Sequence, residues 1–216
     1  MKKRISVSII LVAGLLLMAG AVSAASTAQT TLCAGLTPTI IGTSGNDTLS
    51  GTAGPDVIVG LGGNDAIYGY GGDDKLCGGD GDDFVVGHDG NDKIYGNNGK
   101  DSLSGGNGND TLEGGSGDDQ FLSDAGADTL RGGSGNDVMN AGDGNDFVIG
   151  DTGNDHLSGF GGNDTLRGGD GDDSLFGGSG DDALDGGNHV NKDTCYGDAH
   201  VAGDTAVNCE TVTGVP

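Results

Sequence analysis

The sequence predicts an all-β solenoid, in which short strands stack into two parallel sheets around a thin core. Three observations predict it. From Gly42 to Asp185 the chain repeats every nine residues, sixteen times, without an insertion or deletion. The unit reads G-x-x-G-x-D-x-U-x: position four is Gly, position six Asp and position eight apolar in all sixteen units. Positions seven to nine are rich in β-formers, as in Val57-Ile58-Val59 and Phe147-Val148-Ile149. One nine-residue unit cannot bury its own apolar side chain, so the units must stack on one another.

Taken in chain order, residues 1–24 read as an export signal. Lys2, Lys3 and Arg4 precede an apolar stretch from Ile9 to Met18, and Val22-Ser23-Ala24 offers a cleavage site. That stretch is shorter than the roughly 20 residues that span a bilayer. Residues 25–41 form a leading segment whose Thr39-Ile40-Ile41 resembles a strand triplet, residues 42–185 the array, and residues 186–216 a C-terminal cap. The expected product is secreted, with cleavage near Ala24.

Cleavage removes three of nine basic residues and no acidic one, which takes the net charge from −24 to −27. Such a chain repels nucleic acid and anionic membranes, and neither is an expected partner. It also repels itself. With 48 glycines and no Trp, composition alone describes disorder, whereas the regular apolar position does not. Both statements hold if folding requires a bound cation.

Within the array, positions one to six read as a turn and positions seven to nine as a strand. Position eight then faces one way, and seven and nine the other. If two units make one coil, eight coils stack over about 38 Å. One sheet contributes Leu49, Ile67, Val85, Leu103, Phe121, Met139, Leu157 and Leu175 to the interior. The other contributes Ile58, Leu76, Ile94, Leu112, Leu130, Val148, Leu166 and Leu184. One large side chain per nine residues is a thin core.

Stacking also aligns the position-six carboxylates into columns: Asp47, Asp56, Asp65, Asp74, Asp83, Asp92, Asp101, Asp110, Asp119, Asp128, Asp137, Asp146, Asp155, Asp164, Asp173 and Asp182. Position three adds Asp80, Asp89, Asn98, Asn107, Asp143 and Asp170. Like charges one strand spacing apart repel unless a cation lies between them. Calcium takes six to eight oxygens, carboxylate and carbonyl, in flexible geometry; magnesium demands a stricter octahedron, and transition metals want the His or Cys that these turns largely lack.

Units such as Gly78-Gly79-Asp80-Gly81-Asp82-Asp83-Phe84-Val85-Val86 and Gly105-Gly106-Asn107-Gly108-Asn109-Asp110-Thr111-Leu112-Glu113 resemble the RTX, or haemolysin-type, calcium-binding nonapeptide. The resemblance covers about two-thirds of the chain. It implies a parallel β-roll, a solenoid similar to a right-handed β-helix, with calcium held between successive turns by turn carbonyls and the position-six Asp. Two columns of eight turns give a ceiling of about fourteen Ca2+. The chain departs from the pattern at position two in nine units, where Thr43, Thr52, Leu61, Tyr70, His88, Asn97, Asp124, Asp151 and Phe160 replace Gly, and at position one, where Ser123 and Ala141 do. The turns around Ser123 to Arg131 and around Pro55 fit least well, and Lys100 sits beside Asp101.

Cys33, Cys77, Cys195 and Cys209 allow three disulfide connectivities. The preferred one joins Cys195 to Cys209 beyond the array and Cys33 to Cys77 across its start, and similar Cys-bearing ends in exported single-array members of the family support it. Seventeen residues between the cleavage site and the array leave no room for a catalytic domain there, and His88, His156, His189 and His200 are scattered. The expected function is therefore a secreted, non-enzymatic calcium-binding protein with no catalytic residues. The alternative is an extracellular adhesin or matrix protein that binds a cell-surface polysaccharide or protein through outward Tyr68, Phe84, Val86 and Leu122.

Overall fold

A computed structural model describes residue 33 and residues 35–188, 193–197 and 204–213. The export signal and most of the leading segment lie outside the described residues. Among the described residues there is no helix long and apolar enough to cross a membrane.

The first ten strands are β1 (Ile40–Ile41), β2 (Thr48–Ser50), β3 (Val57–Gly62), β4 (Ala66–Gly71), β5 (Lys75–Asp80), β6 (Phe84–Asp89), β7 (Lys93–Asn98), β8 (Ser102–Asn107), β9 (Thr111–Ser116) and β10 (Gln120–Leu122). They continue as β11 (Thr129–Ser134), β12 (Val138–Asp143), β13 (Phe147–Thr152), β14 (His156–Gly161), β15 (Thr165–Asp170), β16 (Ser174–Ser179), β17 (Ala183–Asn188), β18 (Thr194–Tyr196), β19 (Thr205–Val207) and β20 (Thr211–Thr213). Odd-numbered strands form one ten-stranded parallel sheet and even-numbered strands the other. Each strand pairs with the strand one coil away, two units along the chain: Ile58 stands beside Leu76, and Leu76 beside Ile94.

The structure is the expected parallel roll, with strands longer than expected. Most run for six residues and pass through positions one to three of the next unit, because the ladder continues at Leu61–Gly79 and Gly62–Asp80. Only positions four to six are left to turn. From Gly63 to Gly180 position four takes a left-handed backbone, as at Gly81 with φ 127°, whereas Gly45 and Gly54 do not. Within the array, strands stop early at β2 and β10, directly before Gly51-Thr52 and Ser123-Asp124.

Position eight fills the interior. From Ile58 to Leu184 these side chains are at most 2% exposed, and Leu49, near the first coil, is 9% exposed. Cys195 joins the same core beyond the last regular unit. Both expected disulfides are present, Cys33–Cys77 and Cys195–Cys209. The first lies on the outer face of the odd-strand sheet, where Cys33, Val59 and Cys77 make a small second cluster flanked by Leu61 and Tyr95.

Candidate metal centre

The position-six aspartates form two columns, one at each turn edge of the roll. In each, the aspartate N–H donates to Oδ1 of the aspartate one coil ahead: Asp47 to Asp65, Asp65 to Asp83 and Asp83 to Asp101 on one edge, all at 2.8 Å. On the other edge Asp56 donates to Asp74 and Asp74 to Asp92, also at 2.8 Å. The relay runs on through Asp110, Asp119, Asp128, Asp137, Asp146, Asp155, Asp164, Asp173 and Asp182. Each carboxylate from Asp65 onward is thus fixed through Oδ1.

The other oxygen decides the chemistry. Apart from Asp128, whose carboxyl faces the Ser123 hydroxyl, Oδ2 of every position-six aspartate from Asp65 to Asp173 is buried and accepts no hydrogen bond. An ionised oxygen in that state is costly, and it calls for a proton or a cation. Burial accordingly raises the carboxyls of Asp74, Asp83, Asp119, Asp137, Asp146 and Asp173 to about 6. It raises those of Asp101, Asp110, Asp155 and Asp164 to about 7.

Position one explains what else faces this oxygen. A Cβ built on Gly132 would overlap Asp137 Oδ2 and stand 2.7 Å from the Gly150 carbonyl oxygen of the next coil. Gly150 repeats this with Asp155 and the Gly168 carbonyl, and Gly159 with Asp164 and the Gly177 carbonyl. Glycine therefore leaves a small cradle with a carboxylate oxygen and a backbone carbonyl on its walls. The two position-one exceptions, Ser123 and Ala141, occupy successive coils of one column, where side-chain atoms reach into that space. Among the described residues no three His, Cys, Asp or Glu side chains converge, so a metal here would draw mainly on carbonyls with few carboxylates. An all-oxygen set of that kind fits calcium.

The position-three candidates stand apart from the cradles. Asp80, Asp89, Asn107, Asp143 and Asp170 are exposed at the ends of their strands. There Asn98 Nδ2 donates to Asp80 at 2.8 Å and Asn107 Nδ2 to Asp89 at 2.9 Å. Position five forms a third row, in which the side-chain oxygen accepts the position-five N–H of the next coil: Asn46 from Asn64, Asn64 from Asp82, and Asp82 from Lys100. Lys100 in turn pairs with Asp118 through its ammonium.

Sequence reasoning missed two members of the inner columns. Asp173 donates to Asp193 at 2.9 Å and Asp182 to Asp204 at 3.0 Å, which continues both relays past the array. Spacings of 20 and 22 residues hid them, although Asp193-Thr194-Cys195 and Asp204-Thr205-Ala206 keep the D-x-U order.

The model of the RTX calcium-binding nonapeptide repeat matches residues 41–76, 78–112, 86–121, 95–130, 122–157 and 158–188. The chain belongs to that family. The RTX repeat is a structural calcium-binding unit and not a catalytic one, so the chain is a calcium-binding β-roll. No curated protein matched the sequence.

Proposed function

We propose that this chain is a secreted, non-enzymatic RTX protein whose roll folds when calcium enters the turn columns. The row of buried Oδ2 atoms from Asp65 to Asp173 carries the reading, since without a cation each would have to be protonated or left ionised and unpaired. Calcium supplies a hard, oxygen-seeking charge to that row when bound. The chain holds each carboxylate in place through Oδ1, presents a backbone carbonyl through the position-one glycine, and keeps water away by stacking coil on coil. About fourteen ions is the ceiling set by two columns of eight turns, and the filled cradles at Ser123 and Ala141 favour fewer. Secretion is supported by the basic and apolar N-terminal residues and by two disulfides, which persist in oxidising compartments.

Circular dichroism of the mature, oxidised chain during a calcium titration tests this reading. The β signal should be weak in chelator and rise cooperatively with calcium. A full signal in excess chelator, unaltered by calcium, would overturn it.

A second reading, an adhesin, is favoured by the outer face of the even-strand sheet. Phe84 and Leu122 are about half exposed there, Phe84 meets Tyr68 edge-on at 6.0 Å, and a shallow groove of about 370 Å³ runs between Phe84 and Val86 on one side and Leu122 and Val138 on the other. Phe84→Ala with Leu122→Ala should abolish binding to cell envelopes or glycans while calcium folding is retained; unchanged binding removes this face from consideration.

A further inference from the structure

We infer that the calcium array is offset from the sequence repeat: it omits Asp47 and Asp56 at its start and ends beyond the repeats, in sites built on Asp193 and Asp204. This rests on the calcium-binding reading above.

At the start the carboxylates are already satisfied. Asp47 Oδ2 accepts the Thr43 N–H at 2.6 Å and the Thr43 hydroxyl at 2.8 Å. Asp56 Oδ2 accepts the same pair from Thr52 at 2.7 and 2.9 Å, and Oδ1 accepts the Thr39 hydroxyl at 3.1 Å. The cause lies at position two. Leu61, Tyr70, His88, Asn97, Asp151 and Phe160 take left-handed φ values of 73–86° there, whereas Thr43 and Thr52 do not. A β-branched residue resists that conformation, and these two threonines instead direct N–H and hydroxyl to their own aspartate. In the Gly42 and Gly51 cradles Oδ2 stands 2.9 Å from the position a Cβ would take, further than in the later units. An ion there would have to displace two donors from each carboxylate.

At the far end the cradle is rebuilt from residues outside the motif. Asp193 is fully buried, and a Cβ on Gly186 would lie 2.6 Å from its Oδ2 and overlap the Asn208 carbonyl. A carboxylate oxygen and a next-coil carbonyl thus face Gly186 as they face Gly132, Gly150 and Gly159, with Asn208 in the role of the next coil's position-one glycine. Asn208 adopts φ 54°, donates from Nδ2 to Asp185 at 2.7 Å, and precedes Cys209, which is bonded to Cys195. The disulfide therefore holds the carbonyl that closes the cradle. Glu210 Oε2 accepts the Asp193 N–H at 2.6 Å, where the column would otherwise place its next aspartate. On the other edge Asp204 is 6% exposed and its Oδ2 accepts no hydrogen bond. These groups offer carboxylate and carbonyl oxygens, the set that a calcium ion takes.

The test is a calcium count on the oxidised chain, by equilibrium dialysis with elemental analysis, beside anomalous diffraction from calcium-loaded crystals of the unaltered protein. Asp193→Asn and Asp204→Asn should each bind about one ion fewer, whereas Asp47→Asn and Asp56→Asn should keep the full count. The crystals should show an ion at Gly186/Asp193 and another at Asp204, with none against Thr43 or Thr52. Diffraction does not depend on whether a variant folds. A loaded unaltered chain with ions at Asp47 and Asp56, or with none at Asp193 and Asp204, would overturn the offset alone. A chain that binds no calcium at all would overturn the calcium reading and the offset together.

Discussion

A single position, the second of the unit, shows how local backbone chemistry sets the character of each turn. Glycine reaches φ near +100° without a steric penalty, but Tyr70, His88 and Phe160 are forced into that region at φ 73–80°. The roll imposes the conformation, because each of these residues lies within a strand that pairs along both neighbouring coils. Phe160 is more than half exposed, so little burial offsets its strain. Phe160→Gly should therefore stabilise the calcium-loaded chain by about 1 kcal/mol, read as a higher Tm. Leu61 differs: it packs against the Cys33–Cys77 cluster, and Leu61→Gly should give no such gain. A fall in Tm for Phe160→Gly would show that the ring makes a contact worth more than the strain it brings.

At the scale of the element, the period made strand pairing, inward residues and the two columns legible, since a fixed nine-residue unit allows one register. Strand length was not legible, because Gly60-Leu61-Gly62 reads as turn until the neighbouring coil pairs with it. Asp193 and Asp204 were hidden by insertions that break the count without breaking the ladder, and the donor role of Thr43 and Thr52 needs side-chain geometry that a repeat consensus lacks. The leading segment belongs to the same lesson. Ile40 and Ile41 add β1 to the odd-strand sheet, and Cys33 clamps that segment across β3 onto β5. Since the bond joins residues 44 apart, Cys33→Ser with Cys77→Ser should cost up to about 4 kcal/mol in the chain-entropy account. The loss should appear as a higher calcium concentration at the folding midpoint. An unchanged midpoint would show that β1 holds its place without the clamp.

Over the whole molecule, charge is sorted by face. The turns carry most of the acids, whereas Lys75, Lys93, Arg131 and Arg167 project from the odd-strand sheet, where Glu113 and Asp185 stand beside the two arginines and, among the described residues, Lys75 and Lys93 stand side by side without an ion pair. Those cations lie on a different face from the buried aspartates and do not neutralise them, so protons and calcium compete for the columns. Asp101, Asp110, Asp155 and Asp164 bind a proton up to about pH 7 in the folded chain without metal, against about 3.9 for an unfolded Asp. Between those values the folded form holds more protons than the unfolded one, so its stability falls as pH rises through that window. In calcium-free buffer, where the β signal is weak at pH 8, acidification to pH 5 should restore part of it and raise whatever thermal transition the chain shows. With calcium the order reverses, because the ionised carboxylate is the ligand and acid displaces the ion. Relief of repulsion among ordinary exposed carboxylates would also favour folding in acid, but it comes near pH 4. A transition centred at pH 6–7 in thermal melts therefore reports the buried columns, and a metal-free chain more stable at pH 8 than at pH 5 would show that their oxygens are hydrated and not sealed between coils.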